Sequence, residues 1–343
     1  MALELLNTLY VTLDNAYLHL QNETIRVEQD GKLLKSTPLH HLGAIVIFGN
    51  VLMSPALLAR CADDGRSVVW LDMQGRYRAR LEGRTTGNVL LRRQQYAACD
   101  SPKQLPLARA FVAGKLQNLR FVLKRAERDV NHAPSRNALR NAAETVATLI
   151  TTLPQTEQMD GVRGIEGAAS QVYFSVFQHM VRPAQQQHFP FDGRNRRPPR
   201  DPLNALLSFL YALLLTDCIS ALESVGLDPQ VGFLHAVRPG KPALALDLME
   251  EFRPIADRLA LTLVNRQQIQ PQHFEHRPPE AVLLNDEGRK AVLVAYQQRK
   301  QEETAHPHLK QAIPFGVVPM VQARLLARAL REDVPHYAPF TLT

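Results

Sequence analysis

His235, Asp247 and Glu250 lie close together in the sequence, and their types suit one kind of chemistry. One imidazole and two carboxylates offer the mixed nitrogen and oxygen donors that a hard divalent cation accepts. If 246–265 is one helix, Asp247 and Glu250 project from one face, because residues three apart are neighbours there. Leu248, Phe252, Ile255 and Leu259 mark the core stripe of that helix, so the acidic pair sits near its border rather than opposite it. Pro254 removes the helical bond to the carbonyl of Glu250 and permits a kink beside the pair. Glu251 points about 100° further round and is the weaker candidate. A fourth group, Glu166, lies upstream between Gly164 and Gly167, where backbone can approach closely.

Each group also has a plainer reading, which the residues alone leave open. Glu166 directly precedes an apolar helix and could serve only as an N-terminal carboxylate facing the helix dipole. His235 could be a core imidazole, and Asp247 and Glu250 could be solvated charges.

The elements that must position these groups fall into two parts. The first ninety-odd residues carry short stretches rich in β-branched and aromatic residues at 8–12, 16–20, 24–28, 44–48, 67–71 and 77–81. Asp30-Gly31 is a two-residue hairpin signal, and Ser54 followed by Pro55 opens a short helix to about residue 62. A further helix, carrying Arg92 and Arg93, is expected to begin near Gly87. After the polar connector at 99–103 the pattern turns helical. Val112, Leu116, Leu119, Leu123 and Ala126 form a core stripe, edged by Arg120, Lys124 and Arg128. Further helices are predicted over 135–153, 167–181, 202–225, 246–265, 286–303 and 319–331. Between two of them, prolines and Arg194, Arg196, Arg197 and Arg200 make 188–202 an exposed basic loop. The fold class is therefore α+β: a small N-terminal β-rich domain over 1–98, a linker over 99–106, and a larger all-α domain over 107–343.

With 343 residues, each part can bury a core of its own. A formal charge of +7 favours an acidic partner, with nucleic acid the first candidate. Cys61, Cys99 and Cys218 are odd in number and widely spaced, which fits a reducing cytoplasm and neither a disulfide framework nor a structural zinc site. No secretory signal is expected at the N-terminus. The longest apolar run, 205–215, is too short to cross a bilayer and reads as a buried helix, so no membrane partner is expected.

Three segments resemble the signatures of one family. They are Arg163-Gly-Ile-Glu166-Gly-Ala-Ala, Arg197-Pro-Pro-Arg-Asp-Pro-Leu-Asn204, and Gly232-Phe-Leu-His235 with Asp247-Leu-Met-Glu250-Glu-Phe-Arg-Pro254. With Gly49-Asn50, Trp70-Leu-Asp72, Gly87-Asn88 and Leu91-Arg-Arg-Gln94, their order is similar to that of the CRISPR adaptation integrases, the family of CRISPR-associated protein one. The opening Leu6-Asn-Thr-Leu-Tyr-Val-Thr12 resembles the branch of subtype I-C systems.

The resemblance implies a catalytic helical domain and homodimerisation through the β-rich part. It implies Mg²⁺ or Mn²⁺ held by Glu166, His235 and Asp247, with Glu250 at the position of a further acidic residue. It implies double-stranded DNA partners, namely a protospacer fragment and the CRISPR repeat, together with CRISPR-associated protein two and, as an open question, an end-trimming nuclease. The expected activity is metal-dependent spacer integration and endonuclease cleavage. Arg194, Arg196, Arg197 and Arg200 are the expected phosphate contacts, with Lys124 and Arg128 as further candidates. The rival readings are a nuclease for branched repair intermediates and a non-catalytic DNA-binding scaffold.

Overall fold

The computed structural model describes residues 6–83, 89–195, 198–278 and 280–342. The expected start of a helix near Gly87, and Arg196 and Arg197 among the phosphate contacts, lie outside them.

The N-terminal part contains β1 (Asn7–Val11), β2 (Tyr17–Gln21), β3 (Thr24–Gln29), β4 (Lys32–Pro38), β5 (Leu42–Phe48), β6 (Leu52–Met53), α1 (Pro55–Asp63), β7 (Ser67–Leu71) and β8 (Tyr77–Arg80). They form two four-stranded sheets, in the orders β1-β5-β7-β8 and β4-β3-β2-β6. The Asp30-Gly31 turn joins β3 to β4 with both φ angles positive, 51° and 74°, as a tight hairpin requires. The Ser54 side chain accepts from the Leu57 amide at 3.2 Å and caps α1 as expected. Alternation along β5 divides its two faces. Ile45 and Ile47 pack with Leu18, Ile25 and Leu57 inside the β-rich part, whereas Val46 and Phe48 join the core of the helices.

The remainder runs α2 (Val89–Cys99), α3 (Gln104–Asp129), α4 (Ala133–Thr152), α5 (Met159–Ser175), α6 (Pro183–Gln186), α7 (Pro202–Val225), α8 (Ala243–Glu250) and α9 (Arg253–Asn265). There follow β9 (Phe274–Arg277), β10 (Ala281–Leu284), α10 (Asp286–Gln301), β11 (Glu303–His306), β12 (Gln311–Pro314) and α11 (Val318–Leu330). This part is mostly helical rather than all-α, because β9–β10 and β11–β12 are short antiparallel hairpins. Strands of four residues carry too little pattern to separate from loop. By its packing α2 belongs with the helices: Leu91 and Ala98 lie in their core, and Gln95 donates to the carbonyls of Asp228 and Val231, each at 2.8 Å.

α7 is the central helix. It is long and apolar enough as a whole to cross a membrane, but it is sheathed by α8, α9 and α11, which accounts for its apolar character. Asp201 caps its start by accepting from the Asn204 amide at 2.8 Å, and Gly226 ends it with φ 89°.

Three expectations are corrected. α5 begins eight residues before the predicted position, so Glu166 lies within the helix and not at its N-terminus; the glycines at 161, 164 and 167 disguised the helix. The predicted helix over 246–265 is two helices, broken at Glu251-Phe252 with Pro254 in the first turn of α9. The basic loop is not exposed throughout, because Phe189 and Phe191 within it are buried.

Candidate active site

Helices α3, α5, α7, α8 and α9 surround an open cavity of about 690 Å³, and Glu166, His235, Glu250, Arg194, Lys115, Tyr211, Arg253 and Asp257 all line it. Glu166 comes from the middle of α5. Beside it Gly167 carries no side chain, and a Cβ there would meet nothing within 4 Å, so this face of α5 is open.

His235 lies on the loop between α7 and α8, and Asp247 fixes it there. Asp247 is fully buried. Its Oδ2 accepts from the Phe233 amide at 2.6 Å and the Leu234 amide at 2.9 Å, while Oδ1 accepts from the His235 amide at 2.9 Å. The same Oδ1 lies 2.7 Å from His235 Nδ1. With Nδ1–H donated to Asp247, Nε2 is left as the acceptor facing Glu250 Oε1, 4.0 Å away. Loop and helix meet too closely for any side chain at Gly232, where a Cβ would stand 2.6 Å from Asp247 Oδ2 and 2.6 Å from the Ala243 carbonyl carbon. Gly232→Ala is therefore expected to cost roughly 1–3 kcal/mol in urea unfolding, through forced displacement of the His235 loop; an unchanged midpoint would contradict this packing.

Asp247 spends both oxygens on the His235 loop and does not line the cavity, and its contacts orient the imidazole. Glu250, three residues on, faces the cavity instead. Its Oε1 accepts from Arg253 Nε at 2.8 Å. Its Oε2 lies 2.6 Å from Lys115 Nζ, outside hydrogen-bond geometry, and has no other partner among the described residues. Burial alone would raise the Glu250 carboxyl, but Arg253, Lys115 and His235 outweigh it and hold it at about 2. Glu166 Oε1 accepts from Ser170 Oγ at 3.0 Å and is ion-paired with the same Lys115. Among the described residues, no three His, Cys, Asp or Glu side chains stand close enough together to hold a metal ion as they are placed, and the Lys115 ammonium stands between the two glutamates.

The floor of the cavity holds Tyr211, whose hydroxyl donates to Asp257 at 2.5 Å. The guanidinium carbons of Arg253 and Arg194 lie 4.7 Å and 5.3 Å from the centre of its ring. Arg194 is thus turned inward, and it also donates to Ser208 at 3.0 Å. Burial pushes the Asp257 carboxyl up to about 6, against the Tyr211 hydrogen bond and the charges of Arg194, Arg253 and Lys115. A folded-state value raised above the usual one means that this group's contribution to stability is full below about pH 4 and is lost as pH rises through 6. Asp257→Asn should remove that loss, roughly 3 kcal/mol over the window, and flatten the stability profile between pH 4 and 6. An identical profile would count against the assignment.

The other expected phosphate contacts among the described residues do not line the cavity. Arg200 is exposed and ion-paired with Glu280 at 3.4 Å, Lys124 pairs with Glu127 at 3.1 Å, and Arg128 is exposed near the end of α3. Lys115, Tyr211, Arg253 and Asp257 had no expected role. The available signal was a buried charge or hydroxyl within an apolar helical run.

The family model for CRISPR associated protein Cas1 matches residues 9–298. The chain belongs to the Cas1 family. It is 51% identical to the CRISPR-associated endonuclease Cas1 1 of Moorella thermoacetica, covering 98% of each chain. It is 48% identical to the CRISPR-associated endonuclease Cas1 2 of Rhodospirillum rubrum, again covering 98% of both. Its fold matches a Cas1 protein from Thermotoga maritima at a TM-score of 0.80 and 26% identity, over 95% of this chain and 97% of that one. A casposase bound to its integration product shares the fold at a TM-score of 0.82 and 20% identity, over 97% and 93%. This member of the Cas1 family is a CRISPR-associated endonuclease.

Proposed function

We propose that this Cas1 family member inserts short DNA fragments into a CRISPR repeat array, using a divalent cation held by Glu166, His235 Nε2 and Glu250. The observation that carries this reading is the convergence of those three groups on one open cavity, with two carboxylates already gathered around a positive charge. The donor set fits Mg²⁺ or Mn²⁺: it has two hard carboxylates, one imidazole, a buried oxygen lacking a hydrogen bond, and no thiolate. Such an ion, when bound, would polarise the phosphate and stabilise charge developing on its oxygens.

The residues of the chain supply the rest. Asp247 holds the imidazole in the tautomer whose Nε2 is free. Arg253 and Lys115 keep Glu250 ionised at any working pH, and the open face of α5 leaves room for a DNA backbone. In strand joining, the donor 3′-hydroxyl oxygen bonds to phosphorus as the bond to the displaced 3′ oxygen breaks. One phosphodiester replaces another, so no energy source is needed; water in place of the hydroxyl gives cleavage.

The fold also recurs in a Cas6–RT–Cas1–Cas2 complex, at a TM-score of 0.80 and 22% identity, where this chain spans 36% of the matched chain. This supports CRISPR-associated protein two as the partner. Tyr17, Leu33, Leu34 and Leu52 are exposed on the β4-β3-β2-β6 sheet, which supports homodimerisation through the β-rich part. The opening motif at 6–12 supports the subtype I-C branch.

The test mixes the protein, with and without the small partner, with a 3′-hydroxyl duplex and a supercoiled repeat-bearing plasmid, in Mn²⁺ or in chelator. Metal-dependent covalent joining is expected. Cleavage without joining would favour a repair nuclease, and binding indifferent to chelator would favour a scaffold.

A further inference from the structure

Lys115 sits where a lysine is costly. It lies on the buried face of α3 beside Leu116 and Leu119, 5% exposed, with its ammonium taken out of water. Its reach ends between the two carboxylates of the proposed donor set, ion-paired with Glu166 Oε1 and 2.6 Å from Glu250 Oε2. Two carboxylates facing one point repel unless a cation stands between them. Arg253 does not fill that place, because it engages the other oxygen of Glu250. Ser170 donates a neutral hydroxyl and supplies no charge.

We propose that Lys115 is the built-in counter-cation of this site: its ammonium exchanges for the divalent ion when metal loads, and then pairs with a phosphate of the bound DNA. The exchange rests on the metal site proposed above. Its physical basis is that two positive centres do not share one pair of carboxylates at these distances. A displaced ammonium remains in the cavity wall, where only a new anion repays its desolvation. A DNA phosphate entering the open cavity is such an anion. The device therefore couples the two ligands: DNA strengthens metal binding, and by linkage metal strengthens DNA binding to the same degree.

The test is a Mn²⁺ titration of the full chain, following free Mn²⁺ by electron paramagnetic resonance, with and without a duplex ending in 3′-dideoxynucleotides so that no joining occurs. In the wild type, the duplex should tighten Mn²⁺ binding on the order of 10-fold. Lys115→Met should bind Mn²⁺ about 10-fold more tightly than wild type without DNA, and gain less than about 2-fold from the duplex. If Lys115→Met is unfolded without metal, Mn²⁺ should restore its folded circular dichroism, because the ion replaces the missing charge; failure to restore it overturns the exchange. Mn²⁺ binding equal to or weaker than wild type in a folded Lys115→Met also overturns it, as does equal strengthening by duplex in both proteins. A lysine with a merely packing role would move none of these readouts in the expected direction. If neither protein binds Mn²⁺ in any state, the metal site itself has failed. Wild-type binding with an unresponsive Lys115→Met fails the exchange alone.

Discussion

Asp247→Ala should destabilise the protein by about 3–5 kcal/mol, although the residue does not itself line the cavity. The carboxylate is fully buried and accepts from the amides of Phe233, Leu234 and His235 and from the part-buried His235 ring. Alanine strands the Phe233 and Leu234 amides away from water, and each buried donor left unpaired costs about 1–3 kcal/mol. Urea unfolding should show a lower midpoint with an unchanged slope. Asp247→Asn keeps the shape and one acceptor but turns an NH₂ toward backbone donors, so an intermediate loss follows. Its metal affinity should fall by about 10–100-fold, as for a carboxylate that orients a ligating histidine. A stability change below about 1 kcal/mol in Asp247→Ala would show that the loop does not depend on this residue. A complete loss of metal by a fully stable Asp247→Asn would return Asp247 to the ligand set.

Glu166→Ala should do the opposite. Its side chain is 28% exposed, it sits on the open face of α5, and its partners keep others: Lys115 retains Glu250. Because Lys115 is buried and loses one of its two carboxylates, the stability cost is expected to be about 1–3 kcal/mol, below that of Asp247→Ala. Strand joining should fall by at least about 10²–10³-fold, because the charge-stabilising ion loses one of its holders. Joining at wild-type rate in a folded Glu166→Ala would refute the site. The two substitutions separate the residue that holds the site in shape from the one that faces the chemistry.

Local signals were legible wherever one residue type has one physical use. Asp30-Gly31 can hardly do anything but turn a hairpin, Ser54-Pro55 starts a helix, and the apolar run ending at Gly226 is a core helix. Signals failed where two uses compete. The glycines of α5 read as loop by propensity, yet packing holds the helix, and Gly167 opens the wall beside Glu166. Arg194 read as a surface charge, but its guanidinium has an aromatic ring and the Ser208 hydroxyl to meet. The loop around it read as exposed because prolines and arginines crowd it, yet Phe189 and Phe191 are buried.

By itself the sequence determined most element types, though not the short hairpins β9–β10 and β11–β12, the succession of a β-rich and a helical part, and the candidate groups Glu166, His235, Asp247 and Glu250. Spacing on a helix is a local property, so it could place Asp247 and Glu250 on neighbouring positions. It could not say which of the two turns inward to the His235 loop and which faces the cavity. That choice depends on residues distant in sequence: the amides at 233–235 that claim Asp247, and Lys115, brought from α3 to stand between Glu166 and Glu250. Hydrogen bonds and charges act through space, and only the tertiary structure decides which groups share it.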